Sequence, residues 1–206
     1  VFVVGFAIVV FLAMRRRPTA PSGEDIVRAD PGAILESGAG ERKSFNFGKL
    51  DFHLKYDKAL SYKDGRSTFV GIALTLPDRD GRTFVVTADE GELVSPPDKP
   101  ADLTVAKLTG NVKLTTDNGL EVVSADASYD GKLGILTIPG AVTFTRARMK
   151  GSGVGATYDR NRDVLWLLAD ARINVAPDAT GGGTVDASAS KAGLARADNF
   201  IKLEGT

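Results

Sequence analysis

The sequence predicts an all-β protein: a β-jelly roll or open two-sheet sandwich built from repeated strand pairs, preceded by an N-terminal membrane-anchor helix. Three observations carry this. Apolar and polar residues alternate with period two along most of the chain after residue 60, where helical periodicity is almost absent. Two copies of one pattern lie nearly end to end between residues 82 and 145. The chain also opens on an uninterrupted apolar run, 1–14, closed by Arg15, Arg16, Arg17 and Pro18.

As a helix the apolar run rises about 21 Å, short of the roughly 30 Å of a hydrocarbon core. The first residue is Val rather than Met, so the run is expected to be the second part of a membrane span or uncleaved signal anchor, with its boundary at residues 1–16. A cleaved signal peptide requires small residues at its cleavage site, and a buried core helix shows a polar face; neither is present. Arginines just after a span favour the cytoplasmic side, so a domain exported beyond the membrane requires further basic residues upstream of Val1. Residues 17–43 are polar and rich in Gly, Pro and Ala, and are expected to be a linker with at most a short turn near 30–35. The folded domain is expected over 44–206. Its first stretch, 44–56, alternates again and reads as one strand or a pair at the sheet edge nearest the membrane.

The repeat organises the rest of the domain. Val-Val-Thr-Ala-Asp at 85–89 recurs as Val-Val-Ser-Ala-Asp at 122–126, and Gly110-Asn111-Val112 recurs as Gly140-Ala141-Val142. The two offsets differ by seven residues, which a Pro-rich turn at 95–103 absorbs. Weaker echoes extend both ways, with Tyr129-Asp130 recurring as Tyr158-Asp159, 69–76 resembling 108–114, and 183–189 resembling 119–125. Each unit reads as strand, turn, strand. In 136–144, Leu136, Ile138, Val142 and Phe144 share one face and Thr137 and Thr143 the other, while Pro139 cannot donate to a ladder and belongs at an edge or bulge. One unit alone cannot bury its apolar face, so neighbours must stack.

Composition excludes several function classes. Among 206 residues the 26 basic side chains balance the 26 acidic ones, so no general field attracts nucleic acid. There is no cysteine, hence no disulfide framework and no thiolate metal site. The single histidine, His53, alternates with Phe52 and Leu54 and has no partner signature, which fits a half-exposed structural role. No metal-ligand spacing, nucleophile elbow or phosphate loop occurs, and no cofactor is expected. Gly151, Gly153 and Gly155 superficially resemble a dinucleotide motif, but no helix comes after them, so a turn or bulge between strands is expected. Asp78 with Asp80, Asp126 with Asp130, and Asp159 with Asp163 look like acid/base pairs; lying near Gly or Asn at repeat joins, they fit turn-forming side chains instead. Trp166 is out of phase with Leu165 and Leu167 and is left to face solvent, a partner or lipid.

What remains is the apolar face. Val86, Ala88, Leu114, Val123, Ala125, Leu136, Ile138, Val142, Phe144, Leu165 and Leu167 take the apolar phase of their strands and are expected to point between the sheets and line any lipid path. Small residues on these strands, among them Ala88, Ala125, Ala127, Ala156, Ala187 and Ala189, either leave room for an acyl chain or let the sheets approach in an ordinary filled core.

An anchor followed by units of the types Ala-Asp-x-x-Tyr-Asp and Leu-x-Gly-x-Val resembles the LptC family of lipopolysaccharide-export proteins, in the OstA-like group that also contains LptA. The residues that carry it are 85–89, 108–112, 123–130, 140–142 and 156–159, with 70–88 similar to the family's entry strands. The resemblance implies an inner-membrane, single-pass protein whose periplasmic jelly roll accepts the lipid A chains of lipopolysaccharide. They would come from an ABC transporter of LptB, LptF and LptG and pass to LptA by edge-to-edge sheet continuation, with no enzymatic step. The chain ends at Gly205 and Thr206 where the family continues with another strand, so an incomplete docking edge is expected. The competing reading from the residues is a structural adaptor with a filled core, which joins envelope proteins through exposed sheet edges. Enzymatic processing of an envelope glycan is disfavoured by the missing catalytic constellation.

Overall fold

The computed structural model describes residues 29–77, 83–95, 105–177, 181–195 and 200–205. The expected anchor (1–16), linker residues 17–28, most of the Pro-rich turn, and Asp78 with Asp80 lie outside the described residues. The described residues contain no helix and form fourteen strands. These are β1 (Leu35–Ser37), β2 (Gly40–Asn46), β3 (Lys49–Tyr56), β4 (Lys58–Ser61), β5 (Arg66–Pro77), β6 (Thr83–Val94), β7 (Val105–Thr116), β8 (Leu120–Asp130), β9 (Ile135–Arg146), β10 (Met149–Asp159), β11 (Val164–Val175), β12 (Val185–Ala189), β13 (Lys191–Ala195) and β14 (Phe200–Glu204). The repeat appears as the hairpins β6–β7 and β8–β9, whose matching residues occupy equivalent places.

In place of two separate sheets, the strands form one continuous antiparallel sheet in the order β1-β4-β5-β6-β7-β8-β9-β10-β11-β13-β14. The reason is strand length. From β5 to β11 each strand runs 11 or 12 residues and bends at its middle, so that every strand contributes to two panels. The bends align across neighbours. Registers shift between Thr87 and Glu90 on β6, Thr109 and Val112 on β7, Ser124 and Ser128 on β8, and Val154 and Ala156 on β10. Residues that tolerate left-handed backbone sit there: Gly71 (φ 65°), Gly110 (φ 76°), Asn111 (φ 48°), Gly155 (φ 72°) and Asp170 (φ 50°). At the sheet's margins the same line breaks the chain outright, at Asp57 between β3 and β4 and at Ser190 between β12 and β13. The result is a crease of β-bulges across the whole sheet.

The crease explains several sequence features. The Ala-Asp of the repeat lies on it rather than at a repeat join: Asp89 accepts a 2.7 Å hydrogen bond from Asn111 Nδ2 across the bulge, and Asp126 is an exposed mid-strand residue. Asp130 and Asp159 do form turns, each accepting from two backbone amides at 2.9 to 3.1 Å. Pro139 is in a bulge, though β9 is a central strand, because neither neighbour pairs with residues 139–140. The Gly151 to Gly155 run is inside β10 and not between strands; Gly151 leaves space for the Phe144 ring, and Gly153 for the carbonyl of Ala169. Residues 35–37 and 40–43, expected as linker, belong to the sheet. The inward positions of β2 are Gly40, Arg42 and Ser44, which give no apolar alternation to read.

Folding along the crease brings the panels face to face. The rings of Phe84 on β6 and Tyr158 on β10 are 5.9 Å apart, although four strand spacings of about 4.8 Å separate these strands in the sheet. Tyr158 donates to Asp163 at 2.7 Å, and Asn118 from the β7–β8 turn reaches the same carboxylate at 3.4 Å. Burial raises the Tyr129 phenol above its ordinary value, opposed by the charge of Arg160 and reinforced by Asp51 and Asp130.

Two outcomes are expected. Gly110→Ala places a β-carbon 2.6 Å from Asp89 Oδ2, on a left-handed backbone. It should lower stability by about 1–3 kcal/mol in urea denaturation, whereas Gly38→Ala, with open space around it, should change little. Because the folded Tyr129 holds its proton to higher pH than the unfolded chain, its contribution is complete below about pH 10 and is lost as pH rises through the folded value. Tyr129→Phe should flatten the fall in thermal midpoint above that pH.

Candidate functional site

The candidate site is the inner face of the folded sheet. One row of directly paired residues crosses it on one side of the crease, from Leu54 through Leu74, Val86, Leu114, Val122, Phe144, Gly151 and Ile173 to Ala187. A second crosses on the other side, from Leu93 through Ala106, Tyr129, Leu136, Tyr158, Leu165 and Leu194 to Ile201. Most of these residues belong to one apolar cluster.

The structure places nine of the eleven expected lining residues inside: Val86, Ala88, Leu114, Leu136, Ile138, Val142, Phe144, Leu165 and Leu167 are all buried. Val123 and Ala125 are corrected. Val123 is 38% exposed and Ala125 is on the outer side, while Val122 and Ser124 point in. The inward phase of β8 runs over Leu120, Val122 and Ser124 and then changes at the crease to Ala127 and Tyr129, so extending one phase through the Ala-Asp motif picks the wrong face. The same change on β6, from Ala88 to Gly91 and Leu93, hides Leu93 from a single-phase reading. Tyr129 and Tyr158, which the sequence shows only as repeat markers, are inner-face residues; their spacing of 29 is the signal.

Both ends of the sheet splay. One side of β5 is shared between β4 and β3, and the far side of β11 between β12 and β13. At the N-terminal end Arg42 pairs in register with Leu54, at the head of the first row, and its guanidinium lies 5.9 Å from the Phe52 ring centre. Burial lowers its affinity for the proton from the ordinary value, and Tyr56 opposes this. Tyr56 packs on Phe69 at 5.1 Å across the break at Asp57. At the C-terminal end a gap of about 200 Å³ opens between the panels, lined by Arg146, Arg148, Met149, Val175, Leu194 and Ile201 among others.

Other sequence candidates fall outside this face. His53 is on β3, bonded to β2 and β5 and so not at an edge, with Nε2 2.8 Å from Glu41. Glu41 is held below the ordinary carboxylate range by Lys43 first and His53 second. Trp166 lies on the outer face across Gly193, where an added β-carbon would meet its ring. Among the described residues no group of three or more His, Cys, Asp or Glu side chains is placed to hold a metal ion, and no helix is long and apolar enough to cross a membrane.

The class defined by this geometry is a folded open antiparallel sheet with a single apolar interior that reaches both of its splayed ends. Residues 44–176, more than half of the chain, match the model of the family described as LptC: Lipopolysaccharide-assembly, LptC-related, and the chain belongs to that family. Among solved structures the chain is similar to LptH, the LptA homologous periplasmic component of the conserved lipopolysaccharide transport device from Pseudomonas aeruginosa. The identity is 12% and the TM-score 0.46, over 66% of this chain and 93% of that one. No curated protein sequence matches.

The facing of β8 is checked by isosteric substitution. Val122→Thr buries a hydroxyl and should cost about 1–3 kcal/mol, whereas Val123→Thr should stay within about 0.5 kcal/mol of the parent, both read from denaturant midpoints.

Proposed function

We propose that this protein is a non-enzymatic lipid conduit of the lipopolysaccharide export path. Its domain lies in the periplasm, tethered by residues 1–16 to the inner membrane. It receives lipopolysaccharide from an ABC transporter of LptB, LptF and LptG and passes it to LptA through continuation of the sheet at its C-terminal edge. The observation that supports this reading is the pair of inner rows, the first running from β3 to β12, between the two splayed ends, and the second from β6 to β14. Membership of a lipopolysaccharide-assembly family supports the substrate class.

The interior is filled at rest: Leu54, Ala156, Leu167 and Ala192 are wholly inaccessible to solvent. Lipid entry therefore requires the panels to part. The hydrogen-bond ladders run along the sheet, so parting the panels away from the crease exchanges side-chain contacts for contacts with acyl chains and leaves the ladders intact. The same closed packing favours the second reading, an adaptor that binds other envelope proteins only through its edge strands.

Replacing Phe144, which is buried, with a photoreactive aromatic should capture lipopolysaccharide when the transporter is supplied with ATP. The same replacement at the exposed neighbour Thr143 should not. Equal capture at both positions, or none at either in a folded protein, would favour the adaptor.

A further inference from the structure

Two arginines lie on a largely apolar inner surface, one near each end, and the one at the C-terminal end lines a gap. Arg146 is in register with Leu120 on β8 and Met149 on β10, and Met149 with Val175 on β11, so it takes an inward position at the rim of one panel. Opposite stand Leu194 and Ile201 of the other panel. Met149, Val175 and Ile201 are partly buried against the core, so the gap is where the interior meets solvent. Arg148, two residues on, is steadied by a 3.0 Å hydrogen bond from Nη1 to the carbonyl of Ala176.

The β9–β10 turn at this rim carries charge of one sign. Residues 145–150 carry Arg146, Arg148 and Lys150 and no acid. The neighbouring carboxylate on β8, Glu121, is already engaged by Lys113 at 2.8 Å. Among the described residues no carboxylate pairs with Arg146. An apolar slot rimmed by guanidinium groups matches a ligand with an acyl chain at one end and a phosphate at the other, and arginine forms the forked, charge-assisted bonds that phosphate accepts.

We infer that Arg146, assisted by Arg148, is a phosphate clamp at the C-terminal mouth. It holds the headgroup phosphate of a phosphorylated, multiply acylated lipid whose chains lie against Met149, Val175, Leu194 and Ile201. The inference rests on the conduit reading and adds to it a residue that selects for phosphate where lipid leaves the interior.

The full chain, purified in mild detergent, is titrated with fluorescent bisphosphorylated lipid A and with the same lipid after enzymatic dephosphorylation. Arg146→Gln should weaken binding of the phosphorylated lipid by about tenfold and leave the dephosphorylated lipid unchanged, with Arg146→Lys in between. Circular dichroism and the thermal midpoint verify that each variant is folded. Unchanged affinity of Arg146→Gln for the phosphorylated lipid would overturn the clamp while leaving the conduit standing, as would an equal loss for both lipids. Failure of the parent protein to bind either lipid would remove the conduit reading, and the clamp with it.

Discussion

Every long strand of this sheet leaves its ladder for one to four residues at its middle, and these interruptions line up from Asp57 to Ser190. This alignment is the constraint on which the architecture depends. A regular sheet of strands 11 or 12 residues long would be a twisted ribbon with one face in water. Interrupting each strand at the same height lets the two halves rotate towards each other and turns that face inward. The residues on the line are those that accept the geometry: Gly71, Gly110 and Gly155 supply left-handed backbone, Asn111 and Asp170 tolerate it, and Pro139 sits where no ladder bond is required. Asp89 ties two neighbouring bulges together through Asn111.

The interior inherits its properties from this origin. Because the panels are two halves of the same strands, the chain itself joins them at the crease, where the ladders are interrupted, and elsewhere they are held together by apolar contact and a few turn interactions. Phe84 against Tyr158, and Asp163 receiving both Tyr158 and Asn118, close one side. At the N-terminal splayed end Tyr56 packs on Phe69, and each splayed end carries an arginine on the inward side.

The chain belongs to a lipopolysaccharide-assembly family and is built as a folded open sheet. Of the described aspartates that looked like acid/base pairs, Asp130 and Asp159 organise turns, Asp163 is buried beneath a tyrosine, and Asp126 is exposed in mid-strand. Arginine is the polar residue that stands out on the inner surface, as Arg42 against Phe52 and Arg146 beside Met149.

The sequence by itself determined the all-β class, the repeated hairpins, the family resemblance and nine of the eleven inward residues, because period-two alternation is a local property that burial on one face imposes directly. The start of the domain was not legible: β2 presents Gly40, Arg42 and Ser44 inward, a series without an apolar signature. Nor was the facing of Val123 and Ala125, because a bulge reverses phase without changing the kind of residues on either side of it. Only the tertiary structure decided that the Ala-Asp and Gly-Asn signatures mark a crease and not turns, that Trp166 lies outward over Gly193, and that Arg42 and Arg146 share the interior with leucines. Those outcomes depend on which strand lies beside which and on where registers slip, and such relations arise only between residues distant in sequence.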